Sequence, residues 1–297
     1  MERAIKIAFV FNGVYRRGET WNDGLYLALQ HLEKEFWIQY YEPFELEAIR
    51  NWKPDCILFW GALTEECAPS VASLPFPKAI CFAGGAIESG NIEGWDLFFT
   101  ESGINEKELE KFGKKYRRAF GINEVIFSPS FTPKKYTAFI AGTFALWKRH
   151  HLFAEAVGSM GVAIGITQKH ERECYEVCFK WGVRVLGEQP RSVIASYIQK
   201  SYCVLNTASY WGGGQRLTLE AMACNVPPIV MSDSPKNCEY VLESGYGIIS
   251  EPDVLSIREA IKKARDIKVH MGRQYIESKW TSNHYAENLK KGILEIL

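Results

Sequence analysis

The run Tyr210-Trp211-Gly212-Gly213-Gly214-Gln215-Arg216-Leu217-Thr218-Leu219-Glu220 places three consecutive glycines ahead of an apolar, helix-forming segment. Glycine lets a backbone approach a ligand closely, and a helix N-terminus offers unpaired N–H groups at the positive end of its dipole. Together they suit a diphosphate, and a loose solvated turn is the other reading. Glu220 is surrounded in sequence by Leu217, Leu219, Ala221, Met222, Ala223 and Cys224. A carboxylate in such a helix is buried, and without partners that costs on the order of several kcal/mol. A ribose diol would supply two hydroxyl donors, and backbone amides would meet the same need. The second candidate is Gly142-Thr143-Phe144-Ala145-Leu146-Trp147-Lys148. Lys148 falls at the start of a helix, where its ammonium either neutralises a phosphate as a point charge or is simply solvated.

The elements that must position these residues alternate between short apolar runs and amphipathic stretches. Strands are predicted at Ala4–Phe11, Trp37–Tyr41, Asp55–Trp60, Lys78–Ala83 and Asp96–Thr100. The helices between them are Trp21–Lys34, Leu46–Trp52 and Glu65–Ser73, followed by Asn105 to about Tyr116. The proline-bearing stretch Asn123–Lys135 breaks the pattern and reads as a linker. Strands resume at Thr137–Ala141, Val162–Ile166, Val183–Leu186, Cys203–Asn206, Pro228–Met231 and Tyr246–Ile249. Helices lie between them, and Asn283–Leu297 is a last amphipathic segment. Strand-helix alternation argues for parallel sheets covered on both faces. The expectation is an α/β protein with two Rossmann-like doubly wound domains facing across a cleft. Their bounds are 1–128 and 129–275, with 276–297 packing back on the first domain. Ligands bind outside the carboxyl ends of such strands.

Lys plus Arg and Asp plus Glu both number 35 in 297 residues, so no global field draws the chain to nucleic acid. Cys56, Cys81 and Cys203 sit in apolar runs and read as small buried residues, which fits a reducing compartment. Cys174 and Cys178 lie one helical turn apart with no second pair at zinc spacing. The chain opens on a strand-like run, and no apolar run approaches the ~20 residues that span a bilayer. A cytoplasmic protein is expected. The basic cluster Lys107, Lys111, Lys114, Lys115, Arg117 and Arg118, with Phe112 and Tyr116 interleaved, reads as a solvated face or a peripheral contact with an anionic membrane.

From Phe120 to about Ala264 the sequence resembles the retaining glycosyltransferases of family 4, which have the GT-B fold. Five ordered segments carry the resemblance: Phe120–Pro129, Gly142–Ala156, Val183–Gly187, Glu220–Val230 and Gly245–Ile249. It implies that Lys148 binds a donor diphosphate, that Gln215, Arg216 and Leu217 contact phosphate through their backbone, and that Glu220 binds the ribose. Catalysis would rest on Lys148, Glu220 and Arg216. The donor pocket would also include Gly142, Thr143, Arg149, Gly187, Glu188, Tyr210, Gly212, Gly213, Gly214 and Thr218. Gly13, after the first strand, would face the phosphate. Tyr15, Arg16, Trp21 and Gly85 would meet the acceptor.

Three positions depart from the family pattern. Gly212 stands where an acid is usual, Thr143 where Arg is frequent, and the loop Ala83–Ser89 lacks the usual His. Arg149 and Arg216 are the candidates to replace the missing charge. The resemblance implies transfer of a hexosyl group from a UDP- or GDP-sugar to a hydroxyl of a glycan, lipid-linked or other small acceptor, with retention. No Asp-x-Asp motif is present, so no obligatory metal is expected. A sugar-nucleotide epimerase or hydrolase of the same fold, or a silent nucleotide-sugar-binding protein, are the alternatives.

Overall fold

Near-continuous apolar runs build the first sheet. In the computed structural model, which describes residues 4–13, 23–82, 87–166, 172–209, 215–267 and 271–297, these runs are β1 (Lys6–Phe11), β3 (Cys56–Gly61), β4 (Lys78–Phe82) and β5 (Leu97–Thr100). All of β4 and β5 is buried, as strands covered on both faces require. The more exposed β2 (Trp37–Tyr41) and the short β6 (Tyr116–Arg118) complete a parallel sheet of order β2-β1-β3-β4-β5-β6. Helices α1 (Gly24–Leu32), α2 (Leu46–Trp52), α3 (Ala68–Ala72) and α4 (Gly103–Glu110) connect the strands. Asp23 and Ser102 cap α1 and α4 with side-chain oxygens that accept from Tyr26 N and Asn105 N.

One expected helix is shorter than its sequence pattern. The stretch from Asn105 to Tyr116 leaves the helix after Glu110, reverses at Gly113 (φ +63°) and enters the sheet, pairing Tyr116 with Phe98. The basic cluster is therefore divided among a helix, a turn and a strand. Arg118 makes a two-pronged pair with Glu106 at 2.8 and 2.9 Å, Arg117 pairs with Glu295, and Lys114 lies 3.9 Å from Glu93. Among the described residues, no helix is long and apolar enough to cross a membrane.

The second sheet is again six-stranded and parallel, ordered β12-β11-β10-β7-β8-β9. Its strands are β7 (Tyr136–Ala141), β8 (Gly161–Ile164), β9 (Arg184–Leu186), β10 (Ser201–Asn206), β11 (Pro228–Met231) and β12 (Ile248–Ser250). Helices α5 (His150–Val157), α6 (Arg172–Lys180), α7 (Arg191–Gln199), α8 (Gln215–Ala223), α9 (Pro235–Ser244) and α10 (Val254–Asp266) alternate with them. A further helix, α11 (Gly272–Lys279), packs on α8. It has no counterpart in the sequence reading. Counted from β7, the strand order is that of the Rossmann fold, and it reverses between β7 and β10. The first sheet has the flavodoxin-type order and reverses between β1 and β3. Such reversals leave a crevice at the carboxyl ends of the strands.

The chain packs as two compact units, Met1–Gly121 with Thr281–Leu297, and Ile122–Trp280. The Asn123–Lys135 segment has no helix and no extended strand, yet it is anchored within the second unit. Phe127 is fully buried there, and Arg273 Nη1 donates to the carbonyls of Glu124 and Phe127, both at 2.9 Å.

The last helix, α12 (Ser282–Ile296), covers α1 and β5 in the first unit. Its buried residues Ser282, Tyr285, Ala286, Leu289, Gly292 and Ile293 recur at helical spacing. At Gly292 a Cβ would lie 2.4 Å from the Phe99 ring. Helix propensity alone would favour alanine there by about 1 kcal/mol. Overpacking a well-filled core typically costs about 1–3 kcal/mol, so the clash wins. Gly292→Ala is expected to lower stability by about 1 kcal/mol or more, read from the urea midpoint of unfolding.

Candidate functional site

At the switch point of the second sheet, two chain exits are joined by hydrogen bonds. One is the turn after β7. Gly142 (φ +138°) takes a conformation that favours glycine, and its carbonyl lies so close to Gly165 that a Cβ there would be 1.8 Å away. The chain then forms a 3-10 turn, Leu146–Lys148, before α5. The other exit is Thr207–Ser209 after β10. Thr207 Oγ1 donates to Lys148 O at 2.5 Å and Ser209 N to Trp147 O at 2.9 Å.

Arg149 completes the joint. Its Nε donates to Thr207 O at 2.7 Å and its Nη2 to Ala208 O at 3.0 Å. The same guanidinium holds the Asp233 carboxylate at 2.6 and 2.8 Å. Arg149 has φ +50°, a left-handed conformation that costs an ordinary residue about 1–2 kcal/mol. Hydrogen bonds involving a charged group contribute about 1.5–3 kcal/mol each, so the contacts outweigh the strain. The guanidinium is thus committed to the scaffold rather than poised for a phosphate.

These contacts place Lys148 at the carboxyl edge of β7. The residue is 6% exposed, with Nζ 4.5 Å from the centre of the Trp147 ring. Its Nζ and Cε lie about 3.5 Å from where a Cβ on Gly142 would be. A cation this desolvated is held partly by the ring quadrupole. It presents a localised positive charge beside a glycine turn.

The opposite wall is α8. Glu220 is 2% exposed, and its Oε1 accepts from Arg191 Nη1 at 3.2 Å. Arg191 opens α7, reached from β9 through Gly187 and Glu188, both exposed. The start of α8 is fixed by a buried polar network. Asn206 Nδ2 donates to Thr218 Oγ1 at 3.0 Å and to Asn237 Oδ1 at 2.9 Å. The Thr218 hydroxyl also donates to Asn237 Oδ1, at 2.9 Å, and Asn237 Nδ2 donates to Ser234 Oγ at 2.9 Å. The Thr218 side chain, expected at the ligand, therefore faces the core. Leu217 is buried as well.

With this geometry, the sequence profile of the group 1 glycosyl transferases matches residues 121–277. The chain belongs to that family. No curated protein matches it in sequence. Solved structures share its fold at low identity. A sucrose-phosphate synthase from Thermosynechococcus elongatus superposes with a TM-score of 0.77 at 14% identity, covering 97% of this chain and 98% of that one. Anabaena HepE in complex with UDP and glucose gives 0.74 at 13%, covering 99% and 100%. A glycosyltransferase from Rickettsia africae gives 0.71 at 12%, covering 99% and 98%. This chain is accordingly a nucleotide-sugar glycosyltransferase of the GT-B class.

The remaining residues expected at the transferase site fall into three groups. Tyr15, Arg16, Trp21, Gly85, Tyr210, Gly212, Gly213 and Gly214 lie outside the described residues, as does the side chain of Gln215. Thr143 and Arg216 are half-buried at the starts of the β7 exit and α8. Gly13 has φ +92°, and its N–H donates to both oxygens of the buried Glu42, at 3.0 and 2.9 Å. Arg191, Thr207, Asp233 and Glu42 were not singled out from sequence, because their partners lie 29 to 84 residues away.

Among the described residues, no group of three or more His, Cys, Asp or Glu could hold a metal. All eight cysteines are free, and burial pushes the thiols of Cys56, Cys178 and Cys203 up to about 12. Buried thiols of this kind are poor nucleophiles at neutral pH.

His150, stacked on Phe144 with ring centres 4.5 Å apart, is pushed down from 6.5 to about 3, first by burial and then by the Lys148 charge. Between those values the unfolded chain binds a proton that the folded protein refuses. Folding stability is therefore lost as the pH falls from 6.5 towards 3. His150→Phe is expected to reduce that acid sensitivity, measured as unfolding free energy against pH. A second expectation concerns Arg149. Arg149→Gly relieves the strain but loses the clamp, lowering stability by about 1–3 kcal/mol. Arg149→Ala keeps the strain and falls further. Urea titration of the three proteins orders them.

Proposed function

We propose that this transferase takes a UDP-sugar and moves its hexosyl group, with retention, to a hydroxyl of a glycan or lipid-linked acceptor. The observation that carries the reading is a lysine and a glutamate, Lys148 and Glu220, on the two segments that follow β7 and β10 at the switch point. Both are nearly fully buried. A localised cation beside a glycine turn suits a diphosphate, and a carboxylate in the adjacent helix suits a ribose diol. The binding of UDP and glucose by Anabaena HepE, which shares the fold, favours uridine as the base.

In this reading the acceptor oxygen bonds to the anomeric carbon as the bond from that carbon to the diphosphate oxygen breaks, and the acceptor's hydroxyl proton passes to the departing diphosphate. Negative charge develops on the departing diphosphate. Lys148 and the backbone N–H groups of Gln215, Arg216 and Leu217 at the start of α8 stabilise it, which lowers the barrier more than equal binding of the substrate would. Glu220 holds the nucleoside, so that remote binding energy orients the reacting carbon. Arg149 has no direct part in this scheme, because it holds the Lys148 turn against the β10 exit.

A calorimetric screen of UDP, GDP and ADP and their glucose conjugates tests the proposal. UDP and UDP-glucose are expected to bind, and Lys148→Ala and Glu220→Ala are each expected to weaken UDP at least about tenfold, or about 1.4 kcal/mol. Absence of binding by every nucleotide, or unchanged affinity in both variants, overturns it. Release of free sugar undiverted by any acceptor would favour a hydrolase.

A further inference from the structure

Arg191 has no role in the site as derived so far. It lies in the first turn of α7, while Glu220 is in α8, and the two meet at 3.2 Å. The Glu220 side chain is 3% exposed and the Arg191 side chain 21%, so the carboxylate lies beneath the guanidinium. Charge-assisted hydrogen bonds of this type are usually about 2.7–2.9 Å, so this contact is a loose one. A guanidinium also has five donors on a rigid fork, more than one carboxylate oxygen needs. The pair therefore links the segment after β9 to the helix after β10, with part of the cation still facing solvent.

We infer that Arg191 is a positioning residue for Glu220: it holds the carboxylate against the ribose hydroxyls and thereby sets a preference for ribonucleotide over deoxyribonucleotide donors. The inference rests on Glu220 binding the ribose as proposed above. Removing the guanidinium takes this cation away from a buried carboxylate and changes what orients it. Affinity for the ribose hydroxyls then falls, while the diphosphate contacts at Lys148 are untouched. A purely structural role for Arg191 would lower stability without changing discrimination between sugars.

The test is calorimetry of the full chain with UDP, 2′-deoxy-UDP and 3′-deoxy-UDP. The native protein is expected to favour UDP over both deoxy forms by about tenfold. Arg191→Gln should bring that ratio close to one, and Arg191→Lys should keep part of it. Thermal unfolding of each variant reports folding, and if Arg191→Gln does not fold, the Lys variant carries the comparison. A native ratio retained in Arg191→Gln, or in Arg191→Lys where that variant stands in, overturns the inference while Glu220 keeps its role. No discrimination by the native protein, or full discrimination in Glu220→Gln, removes the ribose reading itself and this inference with it.

Discussion

Everything in the second unit depends on two parallel strands that leave the sheet side by side and whose exits are bonded to each other. β7 and β10 are neighbours in the sheet but are separated in sequence by β8, β9 and the three helices α5, α6 and α7. The 3-10 turn after β7 would otherwise be an exposed loop. Thr207, Ser209 and Arg149 make it part of the scaffold. Lys148 is buried because that turn cannot swing outward. Its charge is then delivered at a fixed place rather than averaged over solvent, as stabilisation of a leaving group requires.

The opposing wall is fixed by different means. Besides the buried Leu217 and Leu219, the first turns of α8 are held by hydroxyl and amide groups of Asn206, Thr218, Asn237 and Ser234. Buried polar groups of this kind specify one arrangement, because any slippage leaves donors and acceptors unpaired. A hydrocarbon contact would tolerate a rotation of the helix by some degrees. Hydrogen bonds at 2.9 to 3.0 Å do not. The orientation of Glu220, two residues further along α8, inherits that precision.

Much of this architecture is visible in the sequence, for reasons that can be named. The strands Trp37–Tyr41 and Pro228–Met231 and the helix Leu46–Trp52 have the bounds that their apolar patterns predict. Lys148 and Glu220 stand out because a charged residue amid apolar ones must have a purpose. The missing features are those set by contacts far along the chain. The stretch from Asn105 to about Tyr116 has the periodicity of one helix, and only pairing with β5 makes Tyr116 the start of a strand. Arg149 reads as a free cation until Asp233, 84 residues later, closes on it. Gly13 reads as an open amide until Glu42 captures it. α11 is too polar to announce itself, and its burial depends on a glycine that lets it approach the carbonyl of Met222.

The return of α12 to the first unit has a consequence for the order in which the protein can be made. The first unit begins at the start of the chain but is closed by Thr281–Leu297, so the second unit lies within it as an insertion. As the chain emerges during synthesis, Ile122–Trp280 has all its strands before the first unit has its last helix. The faces of α1 and β5 that receive Tyr285, Leu289 and Ile293 must wait, uncovered, for about 160 residues to be added at roughly 5–20 residues per second. The first unit is thus completed only after the whole of the second has been made.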